Sequence, residues 1–445
     1  MRPDSNAGRR HWIRATCLRA VLLIERLIIL VYVINLDGKP LMPCVPVIAR
    51  LLLTQHKAKC VKRCPFTIKL LYQSTSYTQL LTLGVDTGSG TMGSAVVDTK
   101  NQVLYMSQAE VRNDIAREMK QRSKYRRARR FLKTRYRKTR WLNRKNSTKK
   151  GRFSPTMVSK FHAHVKEISF VKSILPITKL ILETATFDPH ALKNPAVLQN
   201  KLLYQKGPNY GFGNTKAFVL NRDKYTCQHC KGETRDKRLQ VHHIIFRCQG
   251  GSDDEKNLVT LCATCHKRLH EGLLVLEKQG KKKGQLSHAT QMNSIRLQLL
   301  KFYHEAIETF GFITKENRQM LSLPKEHYFD AAVIASQGKK VTFKTDTMLL
   351  KKCVAEGDYQ QTKGIRSEQP VQTRKIAGFR KFDKVRFLGK EYFIKGRMST
   401  GYAILMDIEG KKAALKPIPK FKNMIRLSAR KSWLLANSAP SFAFA

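Results

Sequence analysis

Short apolar runs rich in β-branched residues, separated by polar turns, recur along the chain and predict a protein built largely of strands. The first module combines a strand at 31–35, a basic amphipathic helix at 46–57 and a strand at about 66–72. Further strands are expected at 80–85, 95–98, 103–108, 179–183, 384–388, 391–395 and 403–408. A helix is expected to begin near His327, after Pro324.

The balance of charge indicates a polyanionic partner. The 445 residues include 84 Lys and Arg against 32 Asp and Glu, a formal net charge of +52. This excess of positive charge is larger than solubility requires and favours nucleic acid as the partner. Hydrophobic residues still make up 42% of the chain, which suffices for the cores of two to four domains.

The positive charge is densest between residues 112 and 150, where 18 Lys and Arg meet only Asp114 and Glu118. This stretch contains no Gly or Pro, so it can form one long helix. A helix that is cationic on every face repels itself in isolation and can meet phosphates on several sides. The alternative is a solvated arm. The candidate contacts are Arg122, Arg126, Arg127, Arg129, Arg130, Arg135, Arg137 and Arg140.

Cysteine usage favours a reducing compartment. Ten cysteines are present, and those outside two Cys-x-x-Cys pairs show no regular spacing, which is typical of a cytoplasmic protein without disulfides. An apolar run at 18–34 is interrupted by Glu25 and Arg26 and has no small-residue cleavage site. We expect it to have no targeting role and expect no membrane association.

The stretch 225–273 carries the most specific chemistry. Four thiolates from Cys227, Cys230, Cys262 and Cys265 form a soft tetrahedral set that selects zinc. His242 and His243 point to opposite faces of a strand, while His266 and His270 share one face of a helix. A structural zinc ribbon with surface histidines is the alternative interpretation.

Acidic residues at the ends of apolar segments form a second candidate set. Asp86 ends one strand and Glu183 ends another, while His327 and Asp330 lie three apart on one helical face. Each alone is more often a cap or a surface residue, and the order of the set is what favours function.

The 225–273 pattern of His-His, Gly250-Gly251, Asp253, Asn257, Cys265-His266 and His270 resembles the ββα-metal nucleases called HNH. The resemblance implies that His242, His266 and His270 hold Mg²⁺ or Mn²⁺. It also implies that His243 is the general base and that Asn257 orients it, with the four cysteines holding structural Zn²⁺.

The strand-Asp, strand-Glu and helix His-x-x-Asp set resembles the RuvC version of the RNase H fold. That resemblance implies two divalent metals at Asp86, Glu183 and Asp330, with His327 helping to activate water. The string GKPLMPC and the arginine-rich segment resemble the IscB family, transposon-encoded relatives of the CRISPR type II effectors.

The resemblance implies a multidomain fold that mixes α+β and α/β parts. Its RuvC core would be split by an arginine-rich bridge helix and an inserted HNH domain and followed by a small β-rich domain. The expected division is a PLMP domain at 31–76, RuvC parts at 77–108, 151–200 and 285–350, the bridge helix at 109–150, the HNH domain at 201–284 and a target-adjacent-motif reader at 351–445.

The function implied is an RNA-guided DNA endonuclease, with HNH cutting the guide-paired strand and RuvC cutting the displaced one. Its expected partners are a structured guide RNA (omega RNA) and double-stranded DNA with a short flanking motif, around a monomeric protein in a prokaryotic cytoplasm. The alternatives are a protein-only HNH or resolvase-like endonuclease and an inert nucleic-acid-binding regulator.

Overall fold

A computed structural model describes residues 29–132, 153–207, 209–234, 236–276, 286–355 and 375–440. The chain divides into two compact units, Thr186–Ser294 and the remainder on either side of it. The expected nucleic-acid contacts Arg135, Arg137 and Arg140 lie outside the described residues. Within the described residues, no helix is both long and apolar enough to cross a membrane.

An eight-stranded sheet forms the centre of the larger unit. Its strands are β4 (Leu81–Asp86), β5 (Thr91–Val97), β6 (Gln102–Glu110), β7 (Ile177–Thr184), β10 (Ile307–Phe310), β11 (Thr342–Phe343), β12 (Met348–Cys353) and β17 (Trp433–Ser438). The order is β10-β7-β4-β5-β6-β12-β17, with β11 also paired to β6. β4 pairs antiparallel with β5 and parallel with β7, so segments far apart in sequence become neighbours.

Two helices cover opposite faces of this sheet. Alternate residues of β5 point to opposite faces. Ala95 accordingly packs in a core with Phe329 of α9 (His327–Ser336). Ser94 instead hydrogen-bonds Glu167 of α3 (Pro155–Lys172). The helix α3 begins as its sequence predicts, with Ser154 accepting from the Met157 N–H and Pro155 in its first turn.

Glycines let α9 approach the sheet unusually closely. A Cβ at Gly84 would lie 2.3 Å from the Ala331 carbonyl oxygen, and one at Gly93 would lie 1.9 Å from that of His327. Any side chain at either position would therefore push the helix away. The close approach holds the first turn of α9 over the end of β4.

Two smaller sheets complete the larger unit. The N-terminal sheet contains β1 (Tyr32–Ile34), β2 (Ala58–Arg63) and β3 (Phe66–Leu70) in the order β1-β3-β2, beside α1 (Pro46–Thr54). The C-terminal sheet contains β13 (Lys384–Phe387), β14 (Lys390–Arg397), β15 (Ala403–Met406) and β16 (Ile425–Ser428) in the order β15-β14-β13-β16. Six strands of the larger unit are absent from the sequence prediction: β2, β10, β11, β12, β16 and β17.

The other helices of the larger unit include α2 (Ile115–Leu132), α7 (Leu286–Phe302), whose first residues belong to the smaller unit, and α8 (Gly311–Met320). The helix α2 follows β6 directly and occupies the first part of the predicted 112–150 helix. Arg122 is exposed, and Arg126, Arg127, Arg129 and Arg130 also belong to this helix.

The smaller unit has a ββα centre. The hairpin strands β8 (Leu239–His243) and β9 (Leu258–Cys262) pair antiparallel, with His242 opposite Val259. The helix α6 (Ala263–His270) follows β9 without a gap. The helices α4 (Pro189–Lys193) and α5 (Thr215–Arg222) precede this centre.

A buried ion pair ties the central sheet to α3. The Lys351 Nζ lies 2.7 Å from both carboxylate oxygens of Glu167, and both side chains are fully buried. Ser94 and Ser107 donate to the same carboxylate at 2.6 and 2.7 Å. Burial opposes the charged form of Glu167, but the charge and hydrogen bonds of Lys351 keep its pKa below the usual range.

We expect Lys351→Met to lower the thermal midpoint sharply, because it leaves the Glu167 carboxylate buried without a counter-charge. Breaking a buried pair from one side costs about 3–5 kcal/mol. The double variant Glu167→Gln/Lys351→Met should lose less, since no charge remains buried. Scanning calorimetry of the two variants checks this, and a double variant as unstable as the single one would contradict it.

Candidate functional site

The four cysteines of the smaller unit form a compact thiol cluster. The Sγ atoms of Cys227, Cys230, Cys262 and Cys265 all lie within 4.8 Å of one another, and all four residues are buried. The first pair closes a turn in which the Lys231 N–H donates to the Cys227 carbonyl at 3.0 Å. The second pair starts α6, where the Cys262 Sγ accepts from the Cys265 N–H at 3.4 Å.

This donor set fits zinc. Four soft sulfur ligands at two turns are the usual structural zinc arrangement. Burial opposes ionisation of Cys230, but hydrogen bonds from Thr234 and the backbone lower its pKa to about 6. Cys230 therefore ionises readily, whereas burial and the neighbouring cysteines raise the pKa of Cys265, so a bound zinc would have to displace the Cys265 proton. A bound zinc would link the segment before β8 to the start of α6.

Three imidazoles converge between β8 and α6, the helix that begins at the second cysteine pair. Ligand nitrogens of His242, His266 and His270 lie within 4.8 Å of one another. The Nε2 atoms of His266 and His270 are 3.3 Å apart, and the Nε2 of His242 is buried without a hydrogen-bond partner. A buried ring nitrogen aimed at two others fits a divalent cation better than an apolar core.

Burial and crowding oppose protonation of two members of this cluster, His242 and His266. Burial, followed by the neighbouring imidazoles His266 and His270, lowers the pKa of His242 to about 4. Burial and His270 also lower the pKa of His266. The lone pairs of His242 and His266 are therefore available for metal at neutral pH.

His243 lies on the other face of β8 and meets a carboxylate. Its Nε2 is 2.8 Å from the Asp253 Oδ1, and the Arg247 Nε donates to the same oxygen at 2.8 Å. The His243 bond and the Arg247 bond both lower the pKa of Asp253, so it is an acceptor. The proton of neutral His243 consequently belongs on Nε2, which leaves Nδ1 as the basic nitrogen.

Asn257 fixes the loop that follows His243. Its amide bonds the backbone N–H of Ile245 at 3.0 Å, the carbonyl of Ile245 at 3.1 Å and the carbonyl of Ser252 at 2.8 Å. Gly251 fits here because a Cβ would lie 1.8 Å from the Ile245 carbonyl oxygen. Asn257 thus acts through the backbone beside His243, whereas the contact of Asp253 with the ring was not predicted from the sequence.

The acidic set of the larger unit is assembled by sheet register and by α9. Asp86 and Glu183 occupy paired positions of the parallel strands β4 and β7. The Nδ1 of His327 is 2.5 Å from the Asp86 Oδ2, and Arg318 Nε lies 2.7 Å from the Asp330 Oδ1. The four predicted residues therefore gather at one end of β4, although the carboxylates are not as tightly grouped as the two clusters above.

Like charges in a half-buried setting raise the pKa of two acids. Burial and the Asp86 charge raise the pKa of Glu183 to about 7. Burial and the same charge raise the pKa of Asp330 to about 6, against the effect of Arg318. One Glu183 oxygen, Oε2, is buried without a partner. Paired carboxylates with such an oxygen fit hard divalent cations.

We expect Glu183→Gln to raise the thermal midpoint at pH 8 without divalent cations and to leave it unchanged at pH 4. Folding raises the pKa of Glu183 from 4.5 to about 7, so stability falls as pH rises through that interval. Glutamine removes this penalty, and each kcal/mol amounts to roughly 2–4 °C in a domain of this size.

Thermal scans at both pH values measure the effect, with the exposed Glu316→Gln as the control. An equal gain at pH 4 and pH 8, or a lower midpoint at pH 8, would contradict the electrostatic explanation.

Two family models match the chain, "RRXRR protein" over residues 31–207 and "HNH endonuclease" over residues 227–272. The chain is 30% identical over 101 residues to the type IV methyl-directed restriction enzyme EcoKMcrA of Escherichia coli K12, covering 21% of this chain and 34% of that protein. It is 37% identical over 73 residues to anaredoxin of Nostoc sp. PCC 7120, covering 16% of this chain and 92% of that protein.

Solved structures of Streptococcus thermophilus Cas9 with AGAA and AGGA PAM sequences are also similar, at 13% identity. Each alignment covers 54% of this chain and 32% of the Cas9 chain, with TM-scores of 0.32 and 0.33. The chain thus spans about a third of the length of Cas9 and of the restriction enzyme.

The match to anaredoxin spans nearly all of that small protein and places the two in one family. The HNH model begins at the first zinc-type cysteine and ends just beyond His270, so it encloses both the thiol and the imidazole cluster. Residues 227–272 therefore form a domain of the HNH endonuclease type.

Proposed function

We propose that the chain is an RNA-guided DNA endonuclease of the IscB type with two separate hydrolytic sites. The observation that carries the proposal is that a cluster of imidazoles and a separate set of carboxylates each lie beside a histidine. One is the imidazole cluster with His243 in the smaller unit, and the other is the carboxylate set with His327 in the larger unit.

The HNH half of the proposal rests on the position of His243. With its Nε2–H donated to Asp253, the Nδ1 lone pair takes a proton from the attacking water. His242, His266 and His270 would hold a Mg²⁺ or Mn²⁺ ion, which supplies stabilisation of charge on the phosphate and leaving oxygen. Asn257 keeps the loop after His243 fixed during the step.

The RuvC half rests on the acidic set. Asp86, Glu183 and Asp330 would hold Mg²⁺ or Mn²⁺, which supplies the clamp on attacking and leaving oxygens. His327 donates from Nδ1 to Asp86 and thereby presents Nε2 for proton transfer. The strand order β6-β5-β4-β7-β10, an antiparallel meander continued by parallel strands, supports an RNase H-like core.

The role of RNA rests on charge. The helix α2 leaves the sheet directly after β6, carries Arg122 exposed and lies in the segment matched by the RRXRR model. We assign α2 to the backbone of a guide RNA and its heteroduplex, and the β-rich C-terminal sheet to the reading of a motif beside the target. The chain would act as a monomer in a ribonucleoprotein.

A protein-only endonuclease is the second candidate, favoured by the restriction enzyme among the relatives. Both candidates take DNA as substrate. They differ in whether RNA is needed, so RNase treatment separates them.

We expect the protein purified from cells carrying its native locus to retain an RNA and to cut both strands of matching DNA. His243→Ala should leave a nick in the unpaired strand only, and Asp86→Ala a nick in the guide-paired strand only. In each variant, the cleavage rate of the affected strand should fall roughly 10²–10⁴-fold, as expected for loss of an acid–base or metal-binding group. Strand-specific end labels distinguish the two cuts.

Cleavage that survives RNase would eliminate RNA guidance in favour of the protein-only enzyme. Loss of both cuts in either single variant would show that the two sites are not independent.

We expect Asp253→Asn to slow the guide-paired-strand cut about 10–100-fold and to leave the other cut unchanged. An amide in place of the carboxylate removes the charge that holds the His243 proton on Nε2, and loss of such a partner typically costs that much. Single-turnover rates of each strand provide the measurement.

Asp254→Asn is the matched control, since its carboxylate pairs with Lys193 rather than His243. If both variants cut at the parental rate, Asp253 has no positioning role.

A further inference from the structure

A basic cavity separate from both candidate sites opens where the three sheets of the larger unit meet. Its volume is about 1220 Å³, above the 300–1,000 Å³ usual for small-molecule sites. Seven cationic side chains line it: Lys62, Arg63, Lys166, Lys384, Arg386, Arg430 and Lys431. Among its lining residues the one carboxylate is Glu391, which pairs with Lys384 at 2.6 Å.

The cations repel one another. Burial and then the charge of Lys431 lower the pKa of Lys62. Lys62 is held by the Ser173 hydroxyl at 3.2 Å and by the ring of Phe170 at 5.0 Å, which are neutral partners. An arrangement of like charges with so little carboxylate is stabilised by a bound polyanion.

The cavity is also lined by end strands of all three sheets. β2, β16 and β17 each stand last in their sheet, and each contributes lining residues. In the part of the chain described, no strand pairs with their outer edges. Such edges present backbone N–H and C=O groups together.

We propose that this cavity binds a single-stranded segment of the RNA partner. The cations take its phosphates, and carbonyls of the end strands accept from 2′-hydroxyl groups, which DNA lacks. An acidic peptide could pair with one such edge, but seven cations spread over several elements match a phosphodiester backbone better. The inference rests on the proposed function only in taking RNA as the resident partner.

The packing of Trp433 provides a local probe. The chain has three tryptophans, of which Trp433 lines the cavity, while Trp12 and Trp141 lie outside the described residues. In a Trp12→Phe/Trp141→Phe background, Trp433 fluorescence should change saturably on adding an oligouridylate of about twelve nucleotides. Oligothymidylate of the same length should bind more weakly, and polyglutamate should have no effect.

The charge contribution is tested by Lys62→Gln/Arg386→Gln/Lys431→Gln in the same background. We expect its Kd for the oligouridylate to rise at least about tenfold and its salt slope to fall by about 2, since each phosphate contact on a single strand contributes about 0.7. The control Lys100→Gln/Lys339→Gln/Lys412→Gln removes equal charge from exposed positions outside the cavity and should stay within about twofold of the parent.

The proposal is overturned if labelled RNA binds while Trp433 does not respond, or if the two triple variants lose affinity equally. Equal or tighter binding of oligothymidylate would make DNA the occupant, and a polyglutamate response would make it an acidic peptide. The Trp433 response of the parent decides the matter even if a variant is unstable. Because the probe is not a guide and no DNA is cut, RNA in the cavity without guided cleavage would leave this inference standing while the proposed function fails.

Discussion

The structure depends above all on the parallel pairing of β4 with β7, which sets Asp86 beside Glu183. Two carboxylates side by side and shielded from water disfavour ionisation, and burial followed by the charge of Asp86 raises the pKa of Glu183. A sheet gains nothing in stability from this placement. The packing around it must therefore be strong enough to hold an unfavourable charge arrangement in place.

That packing comes from both faces of the sheet. On one face, Gly84 and Gly93 admit the backbone of α9 so closely that His327 reaches Asp86. On the other face, the fully buried pair of Glu167 and Lys351 joins α3 to the sheet. Since a one-residue slip of any strand would turn its side chains to the wrong face, both contacts also fix the register on which the acidic set depends.

The sequence predicted the elements whose chemistry is local. Cys-x-x-Cys spacing, the His266 and His270 pair on a helix and the apolar strands ending in Asp86 and Glu183 all follow from short-range rules. The contact between His243 and Asp253 was missed because it depends on how the segment after β8 folds back over ten positions of sequence. The strand β2 was missed because its exposed, Lys- and Arg-bearing pattern lacks an apolar face, as is usual for an end strand.

The pair of Glu167 and Lys351 illustrates a further limit. Each residue lies in a stretch of mixed polar and apolar residues, and nothing local shows that both charged groups become fully buried. Their partners, Ser94, Ser107 and Tyr105, come from other strands, so only the sheet order brings the five polar groups together. Burial of charge is a property of the assembled sheet, so it cannot be inferred from the hydrophobic periodicity of the sequence.

The two candidate sites meet a similar demand with opposite electrostatics. In the smaller unit, burial and then the neighbouring imidazoles disfavour the charged forms of His242 and His266, so these two rings offer neutral lone pairs. In the larger unit, crowded carboxylates disfavour theirs, so Glu183 and Asp330 hold protons close to neutrality. A cation relieves the repulsion between carboxylates. Neutral imidazoles have no such repulsion for a cation to relieve. In the proposed function, the acidic set would therefore couple folding energy to metal binding. The histidine cluster would instead depend on preformed geometry, which the neighbouring cysteines and Asn257 are placed to supply.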